Sequence, residues 1–130
     1  MTEPIKTVPR IKDAAIDFLQ LAASGKVREA YRKHVAPEFR HHNPYFAGDA
    51  QSLMAGMEEN AAKTPQKTLQ VHHALQDGEL VAVHSHVRMQ PGDRGIAVVH
   101  LLRFSANRIV ELWDVGQPVP ESSSNENGMF

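Results

Sequence analysis

The sequence predicts an α+β domain, three helices followed by a four-strand antiparallel meander, and three observations carry that expectation. Apolar residues recur at helical spacing through the first half of the chain. The second half changes to runs of strand length rich in Val, Leu, Ile and His. The connections between those runs are short, whereas a parallel crossover needs about a dozen residues. At 130 residues the chain fits one domain, residues 1–130. A chain of this size buries about two-thirds of its unfolded surface, enough for a core without disulfides.

Residues 1–9 carry two prolines and no periodicity and are expected to be a mobile lead-in. Ile11, Ala14, Ala15, Phe18, Leu19 and Ala22 then mark a first helix, with Gly25 placed to end it. A shorter helix over 27–35 sets Val27, Ala30, Tyr31 and Val35 on one face, and Pro37 stops it. Residues 39–46, FRHHNPYF, read as a loop bounded by Asn-Pro and Gly48. Asp49 can cap a third helix over 50–63, with Leu53, Met54, Met57 and Ala61 inward. Four strands follow at 67–75, 79–89, 96–105 and 108–115, separated by Asp77-Gly78, Pro91-Gly92-Asp93 and Ala106-Asn107. Helices should cover one face of that sheet. Residues 117–130 read as a loose polar tail, whose terminal Met129-Phe130 pair could instead dock on a partner chain.

A net charge of −1 without a dense Lys/Arg run argues against nucleic acid as a partner. No apolar stretch reaches the roughly 20 residues of a membrane span, and MTEPIKTVPRIKD lacks a signal peptide's apolar core. The expectation is a soluble, cytoplasmic protein. The absence of cysteine removes thiol nucleophiles and thiolate metal sites together. Eight histidines point instead to imidazole as the carrier of any chemistry.

Strand parity says which side chains can meet. With a three-residue loop, Ala106-Asn107-Arg108, Phe104 faces Val110, Leu102 faces Leu112, and His100 lies across from Asp114. A two-residue loop would break that pairing. A carboxylate beside a half-buried imidazole could poise it near neutral pH for moving a proton. For the preceding hairpin, a four-residue loop puts Ser85 opposite His100, with His84 and His86 on the reverse face. A five-residue loop puts His86 opposite His100. The first is favoured by the valines, and His86 is retained as a site candidate. His84 and His86 could also bind zinc, given His100 or His42 as a third ligand. Val99, Leu101, Ile109 and Trp113 fall on a face that nothing in the chain covers, which suggests a homodimer through the sheet.

The segments FRHHNPYF, VAVHSHV, AVVHLLRF, RIVELWDVGQPVP and NENGMF resemble the SnoaL-like branch of the nuclear transport factor 2-like superfamily, over about Phe39 to Phe130. The resemblance implies a cone-shaped, usually dimeric fold with an apolar pocket between the helices and a curved sheet. It also implies polyketide cyclase-like acid/base chemistry that needs neither cofactor nor metal. The chain departs from the pattern in carrying His100 where relatives have Asp, and Leu112 where they have His.

The expected function is therefore aldol cyclase, isomerase or dehydratase chemistry on a small apolar carbonyl compound. His100, supported by Asp114, would move a proton, and His42 would donate to the developing enolate. Tyr45, Phe46, His86, Leu102 and Leu112 are the expected substrate contacts. The alternatives are a non-catalytic ligand-binding dimer and a histidine-bound metal enzyme.

Overall fold

A computed structural model of the protein describes residues 10–130; the lead-in expected at 1–9 lies outside the described residues. In chain order the elements are α1 (Ile11–Ala23), α2 (Val27–His34), β1 (Val35–His41), α3 (Ala50–Lys63), β2 (Thr68–Asp77), β3 (Leu80–Arg88), β4 (Ile96–Ser105) and β5 (Arg108–Pro118). The α+β class and the three helices stand as expected, but the sheet has five strands, in the order β1-β5-β4-β3-β2.

The fifth strand is β1, where the sequence reads as the end of a helix and then a loop. It pairs parallel with β5, with Val35 beside Ile109 and His41 beside Leu112. Pro37 is tolerated because β1 is an edge strand, and the register shifts between Val35 and Arg40. A parallel partner more than sixty residues away leaves no hairpin signal, which is why local patterning misses it. β2 to β5 form the expected antiparallel meander.

The helices start and stop on local chemistry. Gly25, at φ +89°, ends α1. The N–H of Lys26 donates to the Leu21 carbonyl and that of Gly25 to Ala22, a Schellman pattern. Asp49 caps α3 by accepting from the Ser52 N–H at 3.2 Å. Arg108, at the start of β5, donates to the carbonyls of Arg32 and Val35 and so ties the α2–β1 corner to the sheet. Phe18, Leu19, Val27, Tyr31, Leu53, Val81, Val83, Leu102, Phe104, Ile109 and Leu112 make one buried core between the helices and the inner sheet face.

The β4–β5 turn corrects the expected loop and preserves its main consequence. Ser105 pairs with Arg108, so the turn has two residues, Ala106 and Asn107, at φ 50° and 65°. Both central residues are left-handed, as the tight primed turn requires. Phe104 then pairs with Ile109 rather than Val110, while Arg103 pairs with Glu111. Val110 is left as the extra residue of a β-bulge. The bulge shifts the register by one, so Leu102 still faces Leu112 and His100 still faces Asp114. It also turns Ile109 into the core, fully buried, instead of onto the uncovered face.

The β3–β4 connection follows neither expected loop. Val87 pairs with Ile96, and Val83, not Ser85 or His86, lies opposite His100. Val83 and Ser85 share a strand face, so His84 and His86 go to the reverse face.

Ala106 carries a Cβ in a backbone region that disfavours one. Replacing it with glycine, Ala106→Gly, is expected to stabilise the fold by about 0.5–1 kcal/mol. Thermal denaturation would show this as a higher Tm; a lower one would mean that the turn relaxes in solution.

Candidate functional site

An open cavity of about 650 Å³ lies between α1, α3, the 43–46 loop and the inner sheet face. Its wall is largely apolar, with Leu19, Leu53, Met57, Leu69, Val87 and Val98 among its residues. The polar groups are few: Asn43, Tyr45, Asn60, Lys67, His100 and Asp114. An apolar concavity of this size with a small set of converging polar groups is the usual form of a small-molecule site.

His100 and Asp114 enter the cavity from adjacent positions on β4 and β5. The carboxylate is held by Asn43, whose Nδ2 donates to Asp114 Oδ2 at 3.0 Å. The other end of the same amide accepts from the Tyr45 N–H at 3.0 Å, closing the turn around Pro44. Strand alternation explains the choice of Asn43 over His42. Along β1 and its continuation, Phe39, His41 and Asn43 point inward, and Arg40 and His42 point outward. His41 is buried rather than solvated: its Nδ1 accepts from the Asn43 N–H at 3.1 Å, which leaves the proton on Nε2, donated to the Ala47 carbonyl at 2.6 Å. The loop that presents Asn43 is thus fastened from inside.

His42 lies on the outer sheet face, not in the cavity. Its Nε2 donates to Glu111 Oε2 at 2.7 Å, and its ring stacks on Trp113 with centroids 4.9 Å apart. Arg40 and Arg103 also reach Glu111, and Arg103 lies over the Trp113 ring. The hydrogen bond from His42, and then that from Arg40, hold the Glu111 carboxyl below the usual range. An imidazole so engaged does not face a ligand in the cavity.

His86 is likewise on the outer face. Its Nε2 donates to the Arg94 carbonyl at 2.6 Å and its ring stacks against Phe130 at 4.2 Å. Phe130 also stacks on His72, so the end of the tail folds back over this chain's own sheet. His84, beside His73 with Nδ1 atoms 3.0 Å apart, belongs to the same outer group. His84 and His86 are therefore separated from His100 by the sheet, and His42 sits three strands away from them on the β1–β5 side. The histidines weighed as possible zinc ligands do not come together, and the described residues hold no group of three or more potential metal-ligating side chains. Leu102 and Leu112 share the inner face with His100 and Asp114 but are core residues, almost fully buried, beneath the cavity rather than on its wall. Tyr45 and Phe46 do line the cavity, Tyr45 largely exposed. The Phe46 ring packs where a Cβ on Gly56 of α3 would stand.

The surroundings of His100 differ from the expected poise near neutrality. Its Nδ1 is buried without a hydrogen-bond partner among the described residues. Desolvation pushes the imidazole down to about 4, and the opposing pull of the Asp114 charge only partly offsets it. His100 is a neutral ring at physiological pH.

Sequence reasoning missed Asn43, and the signal was present: reading 39–43 as a strand puts Phe39, His41 and Asn43 on one face. Lys67 was missed because a single lysine in a polar connection has no distinguishing pattern.

The fold is thus an α+β one with a half-open, largely apolar cavity behind its five-stranded sheet. The model of the SnoaL-like domain matches residues 15–112, and the chain belongs to that family. Similar solved structures include an NTF2-like protein of unknown function from Cytophaga hutchinsonii, 20% identical, TM-score 0.68, covering 88% of this chain and 96% of that one. Wild-type IdmH from Streptomyces antibioticus, described as a candidate polyketide cyclase, is 23% identical with a TM-score of 0.66, covering 82% and 91%. A candidate isomerase of the SnoaL-like family from Agrobacterium tumefaciens is 13% identical with a TM-score of 0.69, covering 82% and 97%. At these identities the likeness is one of fold. No curated protein matches the chain by sequence.

The depressed basicity of His100 has a signed consequence for stability. Below pH 6.5, its ordinary value, unfolded His100 takes up a proton that the folded ring refuses until about pH 4. Stability should fall as pH drops through that window, by at most about 3 kcal/mol from this residue. In NMR titration the His100 ring should stay neutral down to about pH 5, and His100→Gln should flatten the acid limb of the stability curve. A His100 resonance titrating at its ordinary value would show the ring to be hydrated.

Proposed function

We propose that this protein is a cofactor-free acid/base enzyme that removes or relocates a proton alpha to the carbonyl of a small apolar compound held in the cavity. The observation that carries this reading is the pairing of a carboxylate and a neutral imidazole on one apolar wall. In this reading Asp114 is the base, its carboxylate aimed by Asn43 and free of any lysine or arginine partner among the described residues. His100 is the hydrogen-bond donor. A buried N–H without a partner is costlier than a buried lone pair, which favours the proton on Nε2 and leaves Nδ1 bare. A neutral imidazole N–H can then stabilise a developing enolate oxygen without first surrendering a proton. The base in this reading is thus Asp114 rather than His100, and His100 takes the donor's part expected of His42. The kinship with a candidate polyketide cyclase and a candidate isomerase supports carbonyl chemistry of the aldol, isomerase or dehydratase type.

Alpha-proton exchange in deuterated water, followed by NMR over a panel of cyclic ketones and β-dicarbonyl compounds, tests the proposal. Exchange should be catalysed by the wild type and fall about a hundred- to ten-thousandfold in Asp114→Asn. Binding without exchange across the panel would instead make this a non-catalytic ligand-binding protein.

We also propose a homodimer through the outer sheet face. Val99 and Val115 remain exposed there, at 37% and 69%, beside Leu101 and Trp113, and the tail covers only part of that face. Sedimentation equilibrium should give a dimer that Val115→Arg dissociates. A wild-type monomer at tens of micromolar would refute this.

A further inference from the structure

We propose that Lys67 is an anion-recognition residue of the cavity, so that its ligand carries a carboxylate or an equivalent anionic oxygen at the end remote from Asp114. The inference rests on reading the cavity as a ligand site, not on its being catalytic. Among the described residues that line the cavity, Lys67 is the one cation and Asp114 the one carboxylate. They stand at opposite sides of the wall. Lys67 immediately precedes β2, the edge strand, and Asp114 lies on β5, with β3 and β4 between them.

Three features distinguish Lys67 from a lysine that merely lays its stem along an apolar wall. First, its backbone is fixed: the Lys67 N–H donates to the Thr64 carbonyl at 3.1 Å, closing the turn out of α3. Second, its ammonium is directed. Nζ donates to Asn60 Oδ1, and Asn60 itself lines the cavity. Third, no carboxylate among the described residues forms an ion pair with it, whereas Lys33 and Lys63 each have one. The Lys67 side chain is half-buried, and among the described residues its ammonium has a neutral amide oxygen, not a carboxylate, as its partner. Burial accordingly lowers its affinity for the proton. A ligand carboxylate would supply a counter-charge through a charge-assisted hydrogen bond.

The ligand class follows from the two ends. An apolar body would fill the middle of the cavity and an acidic group would meet Lys67; the carbonyl near Asp114 and His100 is added by the catalytic reading alone. A second anion at the Asp114 end would be repelled, which gives the ligand one orientation. An apolar keto acid fits this arrangement better than a neutral ketone or a dicarboxylate.

The test uses two nearly isosteric probes, 2-naphthoate and 2-naphthamide, with affinities measured by isothermal titration calorimetry near neutral pH. The wild type should prefer the carboxylate by about tenfold or more, the scale of one charge-assisted hydrogen bond. Lys67→Met should erase the preference while leaving naphthamide binding within about twofold, and Lys67→Arg should retain it. Raising the pH should abolish the wild-type preference at a lower pH than that of Lys67→Arg, because only the lysine can discharge. Circular dichroism of each variant verifies the fold. Equal binding of both probes by the wild type, or a preference that survives in Lys67→Met, overturns the assignment and leaves the cavity reading standing. Failure of both probes to bind the wild type removes the ligand cavity and the anion site together.

Discussion

The single extra residue at Val110 governs how the last strand divides its side chains between core and cavity. A primed two-residue turn brings β4 and β5 together tightly, and without a bulge the alternation set at Phe104–Ile109 would run on unchanged. Asp114 would then face away from the helices, and Leu112 would leave the core. Because Val110 is accommodated as a bulge, Ile109 is buried at one end of the strand while Leu112 and Asp114 point inward further along. The core and the polar end of the cavity therefore share one backbone irregularity. β1 then reads its own alternation from β5. His41 lies beside Leu112, and two residues later Asn43 reaches Asp114.

The imidazoles of the sheet are of two kinds. On the inner side His41 is hydrogen-bonded, whereas His100, across from Asp114 on a largely apolar wall, has a buried nitrogen that none of the described residues satisfies. On the outer side the histidines are engaged: His42 with Glu111 and Trp113, His86 with the Arg94 carbonyl and Phe130, His73 with His84. Engagement makes a side chain structural, because its hydrogen-bonding capacity is already used. A buried polar atom left without a partner carries free energy that a ligand can recover. In the proposal for Lys67 the same reasoning extends to a side chain that lines the cavity and has no carboxylate partner among the described residues. The cavity thus joins an apolar middle to two polar ends of opposite sign.

In the function proposed above, the proton shuttle expected of a histidine backed by aspartate is replaced by a division of labour that desolvation favours. Burial and the Asp114 charge act on His100 in opposite senses, and burial is the larger. A ring held neutral by burial is better suited to donating a hydrogen bond than to cycling a proton, which is why the proposal gives the base's part to the carboxylate held by Asn43. This arrangement needs no histidine outside the cavity. It is consistent with the departure of residue 100 from the aspartate that the family resemblance led one to expect.

Local chemistry in the chain was sufficient for the three helices, the Asp49 cap, the Gly25 terminus and four antiparallel strands. Each depends on side-chain periodicity or turn preference within a few residues. The inward pairing of His100 with Asp114 was also legible, although through a loop of the wrong length whose error the bulge cancels. The fifth strand was not legible, since its partner is more than sixty residues away and only the assembled sheet supplies the hydrogen bonds that make Val35–His41 extended. With β1 missing, the sides taken by His42 and Asn43 could not be assigned. The face taken by His86 depended on the β3–β4 register, and the basicity of His100 on how much water its surroundings exclude. Composition and spacing determine which residues are available for chemistry; pairing across the sheet and burial decide which of them meet, and in what state of charge.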